Sequence, residues 1–198
     1  MKHIKKLAVI FLFLLSLSCQ KYTQEEVNHY FIVACEHFGG GSLESIKKMV
    51  DLNADVNIVK GDKKFTGLHF LSDYHQPNYF YEVNAAAKVI IEKGADVNKR
   101  DWFNRTPLHY AAGKGNLDLA EMLLSNGAKL KALDNKGYPP IAYAVTGLNL
   151  DLVKMMVARG ATTDFFDPAQ PELTLVEMAR IRNSNEIVEY LKSINASK

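Results

Sequence analysis

The chain has 198 residues, 47% of them hydrophobic and 23% charged, with a formal net charge of +2. That length suits one mid-sized domain or a short solenoid, and the apolar content is that of a folded chain rather than a disordered one. So small a net charge leaves no basic footprint of the kind a nucleic-acid binder carries.

Residues 1–18, MKHIKKLAVIFLFLLSLS, set three lysines before an apolar run from Leu7 to Leu17 that only Ser16 interrupts. A basic start, a short greasy middle and a small residue before the cut make a secretory signal. The run is shorter than the roughly 20 residues of a membrane span; an uncleaved anchor helix is the alternative. Ser16-Leu17-Ser18-Cys19 resembles the lipobox of bacterial lipoproteins, with Ser16 where leucine is usual. The resemblance implies lipidation of the Cys19 thiol, cleavage before it and acylation of the new amine. Two or three acyl chains hold a protein firmly on a bilayer, with residues 19–24 as the lipidated tether. Gln20, in place of the aspartate that commonly retains such proteins at the inner membrane, favours the outer membrane, facing the periplasm. The second cysteine, Cys35, follows Ala34 on an apolar stripe and reads as a small buried thiol.

Residues 25–198 divide into helix pairs. Glu25 to Phe38 is amphipathic, Gly39-Gly40-Gly41 breaks it, and Leu43 to Leu52 forms a second helix. Phe65-Thr66-Gly67-Leu68-His69 opens the next pair, which ends at Gly94-Ala95. In the clearest unit, Thr106 is placed as an N-cap and Pro107 at the first helical position. Leu108, Ala111 and Ala112 then form a helical stripe, Gly113 and Gly115 stop the helix, and Asn116 caps the next. Asn126-Gly127 ends that second helix. Gly94-Ala95, Gly127-Ala128 and Gly160-Ala161 recur every 33 residues, and TPLHYA at 106–111 returns as PPIAYA at 139–144. Pairs this short cannot bury their apolar faces alone and need neighbours on both sides.

A 33-residue period with T-P-L-H and L-L-x-x-G-A resembles the ankyrin repeat. The resemblance implies an all-α solenoid of about five helix-turn-helix repeats with short extended arms. The repeats fall at about 25–57, 58–98, 99–133, 134–167 and 168–198. In the fourth, Ala142 replaces histidine and Leu148 replaces the glycine between helices. The last has a polar outer face, as a terminal cap needs. From Leu68 to Gly94 the second repeat is seven residues longer than the third from Leu108 to Gly127, which puts an insertion in 73–84. Its aromatics, among them Tyr74, Tyr79, Phe80 and Tyr81, either line a contact surface or fold over the outer helices.

No motif for chemistry stands out. P-loop, G-x-S-x-G and dinucleotide signatures are missing from the sequence. His29, His37 and His75 share no metal-ligand spacing, and no cofactor, metal site or catalytic residue is expected. The ankyrin resemblance gives His69 and His109 a structural role and places binding residues at the arm tips and on the first helix of each repeat. Carried over by position, these are Asp62, Lys63 and Phe65; Arg100, Trp102, Phe103, Arg105 and Lys114; Lys136, Tyr138 and Thr146; then Phe165 and Phe166. Tyr79 and Phe80 of the insertion join them. Aromatic residues and arginine dominate interface hot spots, so this line reads as a protein-binding surface centred on Trp102, without nucleic acid or small-molecule substrate. The expected function is that of a periplasm-facing, lipid-anchored binding protein, non-enzymatic. It resembles bacterial ankyrin lipoproteins, some of which are immunity proteins that block a delivered toxin such as a type VI secretion phospholipase. An envelope scaffold or protective partner of an endogenous periplasmic protein is the alternative. A hydrolase using His75 is a further one.

Overall fold

Helical spacing of apolar residues, broken every ten or so positions by glycine and asparagine, produces short helices laid side by side. The computed structural model describes residues 22–39, 42–167 and 169–195. The signal at 1–18, Cys19 and the start of the tether lie outside the described residues.

Five antiparallel helix pairs follow one another: α1 (Gln24–Glu36) with α2 (Ser42–Asp51), and α3 (Gly67–Ser72) with α4 (Phe80–Glu92). After them come α5 (Pro107–Lys114) with α6 (Leu117–Ser125), α7 (Pro140–Thr146) with α8 (Leu150–Ala158), and α9 (Leu175–Ile181) with α10 (Asn185–Asn195). The first helices of the pairs pack in one row, α1 to α3 to α5 to α7 to α9. The second helices pack in another, α2 to α4 to α6 to α8 to α10. One apolar core runs between the rows, from Val27 in α1 to Leu191 in α10. Ala86, Ala87, Ala111, Ala112, Ala120 and Ala144 are fully buried within it. Small side chains let the rows approach closely.

The landmark residues do what the period requires. Thr106 is extended, and Pro107 opens α5. The helix runs through Gly113 rather than stopping there, and ends at Gly115, which is left-handed at φ 74°. Asn116 caps α6 by accepting from the Leu119 amide at 3.1 Å, and its amide also pairs in both directions with that of Asn84, at 2.8 and 3.2 Å. Gly67 stands where the third and fourth repeats have proline, for a steric reason. A Cβ there would lie 2.9 Å from the Cys35 sulfur and 3.0 Å from the Phe31 ring. Cys35 is buried as expected, and burial pushes its thiol well above the usual range.

The insertion is not a loop throughout. Four of its residues lengthen α4 by a turn at its start, and Pro77–Tyr79 form a 3-10 turn before it. The extended segment after α8 also goes further than an arm. Phe166–Asp167 (β1) and Gln170–Thr174 (β2) pair antiparallel, a hairpin that opens the last repeat. Among the described residues, no helix is long and apolar enough to cross a membrane.

Candidate interaction surface

The arms between repeats are stapled from both sides. In the third arm, Asp101 accepts from the Arg105 amide at 2.7 Å and from the Tyr110 hydroxyl at 2.6 Å. One repeat on, Asp134 accepts from the Lys136 and Tyr138 amides, each at 2.8 Å, and from the Tyr143 hydroxyl at 2.7 Å. Burial and the neighbouring carboxylate push both tyrosine hydroxyls far above their ordinary pKa. The two histidines tie each arm to the helix before it. The Thr106 amide donates to His109 Nδ1 at 3.0 Å, which leaves the proton on Nε2 to meet the Tyr138 carbonyl at 3.2 Å. His69 repeats this with the Thr66 amide at 3.3 Å and the Arg105 carbonyl at 3.3 Å. Burial holds both imidazoles neutral, His109 down to about 4. Ala142 cannot make such a bond. In its place the Tyr138 hydroxyl donates to the Asp167 carboxylate of the following arm.

Main-chain bonds then join arm to arm. The Trp102 amide donates to the Lys63 carbonyl at 2.9 Å, and the Asn135 amide to the Phe103 carbonyl at 2.9 Å. The Asn135 side chain reaches the Trp102 carbonyl at 3.1 Å. Arg100 donates to the Asn104 and Leu133 carbonyls at 3.1 and 2.9 Å. On this scaffold Trp102 stands 62% exposed and Phe103 43%. The Lys64 ammonium lies 5.3 Å from the Trp102 ring centre, and the Arg105 guanidinium lies 4.4 Å from that of Phe103. Such cation–ring contacts hold both partners in place at the surface.

The sequence-derived positions divide between surface and interior. Asp62, Lys63, Arg100, Trp102, Phe103, Lys114, Lys136, Thr146 and Phe166 are at the surface, Lys114 paired with Asp73 at 3.1 Å. Phe65 is not: it is only 4% exposed and packs against His69, Phe70 and Tyr110, because its arm folds back between Lys60 and Phe65. Tyr138 and Phe165 are half-buried and rest on each other at 5.5 Å. Arg105 is also half-buried, its Nε 3.4 Å from the Asp101 carboxylate in an ion pair that forms no hydrogen bond. Of the insertion, Tyr74 packs edge-on to Phe38 and Phe80 is half-buried, while Tyr79 and especially Tyr81 face solvent. Part of that segment therefore folds over the outer helices, while Tyr79 and Tyr81 stay exposed.

A groove of about 370 Å³ lies between α7 and α9, with Lys136, Tyr138, Tyr143 and Thr146 on one side and Met178, Ile181 and Arg182 on the other. Ile181 and Arg182 were not among the residues the sequence singled out. The signal was present, since Leu175, Met178 and Ala179 are the buried stripe of α9 and Ile181 is the apolar residue off that stripe. Among the described residues, no group of three or more His, Cys, Asp or Glu side chains converges to hold a metal ion.

Stacked helix pairs bearing stapled arms define a repeat-built interaction module. The family model for three copies of the ankyrin repeat matches residues 31–134 and 79–167, and the chain belongs to the ankyrin-repeat family. It is similar to an ankyrin repeat protein of fowlpox virus (strain NVSL), 46% identical over 37 residues, which is 19% of this chain and 6% of the viral one. It is also similar to the protein described as a probable 26S proteasome regulatory subunit, p28, of Saccharomyces cerevisiae. That identity is 36% over 95 residues, 47% of this chain and 37% of the yeast protein. The matches thus span well under two thirds of either relative. Ankyrin repeats are generally protein-binding modules rather than enzymes, and the arm tips described above expose apolar and cationic side chains to solvent.

Proposed function

We propose that this chain is a membrane-held inhibitor that binds a protein partner along its arm tips and blocks it stoichiometrically. The observation that carries the reading is the exposed pair Trp102 and Phe103, flanked by Lys64 and Arg105 on arms laced to their neighbours. Rings and arginine fixed in position before binding are what a hot spot needs, because little order remains to be imposed. The cations on either side favour a partner surface with acidic groups. Lipidation at Cys19 would hold the chain on the periplasmic face of a bilayer, where a delivered phospholipase acts. The resemblance to ankyrin lipoproteins of the immunity type supports that role. A second reading, an assembly or protective subunit for an endogenous protein, draws on the yeast relative being described as a regulatory subunit.

The test is capture from the cell envelope, followed by titration of the captured enzyme's turnover on phospholipid vesicles. Inhibition saturating at one chain per enzyme is expected, and Trp102→Ala weakens binding by roughly tenfold or more. Capture that survives Trp102→Ala undiminished would overturn the surface. Capture of a resident protein whose activity is unchanged would favour the scaffold.

A further inference from the structure

The loops that close each repeat lie along a single edge, joined by asparagines. Asn28 accepts from the Asp55 amide at 2.8 Å, Asn57 from the Asp96 amide at 2.7 Å, and Asn98 from the Lys129 amide at 2.8 Å. Asn57 and Asn98 also donate to the Gly94 and Gly127 carbonyls, at 3.0 and 2.9 Å. The start of α1 belongs to the same edge, since Gln24 donates to the Asn53 carbonyl at 2.8 Å. Cys19 is only five residues before Gln24. A chain spans at most about 3.6 Å per residue, so a bilayer holding acyl chains on Cys19 would lie within about 20 Å of this edge.

Further along the edge is an open groove of about 1040 Å³ whose rim carries Arg100, Lys129, Lys131 and Arg159. Arg159 pairs with Glu121 at 2.9 Å. Asp134, the acid of this groove, is buried and occupied by two amides and a tyrosine. Among the described residues no carboxylate pairs with Arg100, Lys129 or Lys131. Three cations that no carboxylate pairs with thus line this groove, Lys129 and Lys131 on the edge itself and Arg100 at the base of the third arm.

We propose that this edge is a membrane-facing surface, with Arg100, Lys129 and Lys131 engaging the anionic headgroups of the bilayer that carries the chain. The inference rests on the lipid-anchor reading of Cys19, and it assigns the orientation that the anchor alone leaves open. Lying edge-down, the solenoid keeps Trp102 and Phe103 clear of the lipid. Each cation near an anionic surface favours contact by about fivefold, an effect confined to about a Debye length.

The full chain is incubated with vesicles of phosphatidylcholine alone, or of phosphatidylcholine and phosphatidylglycerol in equal amounts. Sedimentation reads partitioning. Amine labelling followed by mass spectrometry reads the exposure of Lys129 and Lys131 against Lys63, Lys64 and Lys136. The expected result is partitioning into both, with Lys129 and Lys131 shielded severalfold only on the anionic vesicles. High salt removes the shielding, and Lys129→Glu with Lys131→Glu narrows the difference in partitioning between anionic and neutral vesicles, at an unchanged thermal midpoint. Partitioning into both with equal labelling overturns the inference while the anchor stands. Partitioning into anionic vesicles alone, lost on charge reversal, supports the edge and overturns the anchor. Partitioning into neither overturns both.

Discussion

Leu148 occupies a left-handed backbone position, φ 62°, one repeat beyond Gly115 at φ 74°. For a residue with a Cβ that conformation costs about 1–2 kcal/mol. Leu148 is also largely exposed, so little packing is lost on its removal. Leu148→Gly is therefore expected to stabilise the chain by about 1 kcal/mol, raising the thermal midpoint by about 2–4 °C; an unchanged or lower midpoint would refute it. The converse change, Gly115→Ala, puts a Cβ on a left-handed residue and displaces the Asn149 side-chain Nδ2, 1.9 Å away, and should cost about 1–2 kcal/mol. Gly67→Ala should cost about 1–3 kcal/mol, since Phe31 and Cys35 fill the space it needs. The histidines add a pH dependence. His109 binds its proton more weakly when folded, near pH 4 against 6.5 unfolded, so its neutral form favours the native state. That contribution, roughly 3 kcal/mol, is complete above about pH 6.5 and is lost as the pH falls towards 4. Thermal midpoints measured across that range should decline, and His109→Gln should flatten the decline. Individual positions of this kind were largely legible. Thr106, Asn116 and Gly127 announce their caps by type, and Leu148 was visible as a missing glycine. What kept Gly67 from being a proline was not, because Phe31 and Cys35 lie more than thirty residues before it.

Helices α6 and α8 follow from periodicity within a residue or two. The extra turn of α4 did not, because an insertion of aromatics carries no signal distinguishing a lengthened helix from a loop. The hairpin of β1 and β2 was hidden for another reason: a two-residue strand has no alternation to detect, and its pairing is set by Asp167, which accepts from the Ala169 and Gln170 amides. The loops closing the repeats are joined to one another by asparagine, while Val56, Ala95 and Val97 anchor them in the core. Asn98→Ala removes one accepted and one donated bond and is expected to cost about 1 kcal/mol. Chemical denaturation would show this as a shifted midpoint with unchanged slope.

Over the whole stack, stability is the sum of repeats and the junctions between them. The second and third repeats reach the next arm through an imidazole, whereas the fourth does so through Tyr138, and among the described residues α10 has a row neighbour on one side alone. Native-state hydrogen exchange should therefore find the amides of α9 and α10 opening before those of α5 and α6; uniform protection would contradict this. The solenoid was readable from the 33-residue period, but which arm residues are exposed was only half so. Position within a repeat says where an arm tip is, not whether its ring turns outward, and that is why Phe65 and Trp102 parted company. The lacing of the arms has one more outcome. The amides of Asp101, Trp102, Asn104 and Arg105, and those of residues 134–138, already have acceptors inside the molecule. A strand from another chain finds few donors there to zip onto, so the row of arms does not behave as a sticky sheet edge. Recognition is left to side chains, and a stranger without the matching pockets has nothing generic to hold.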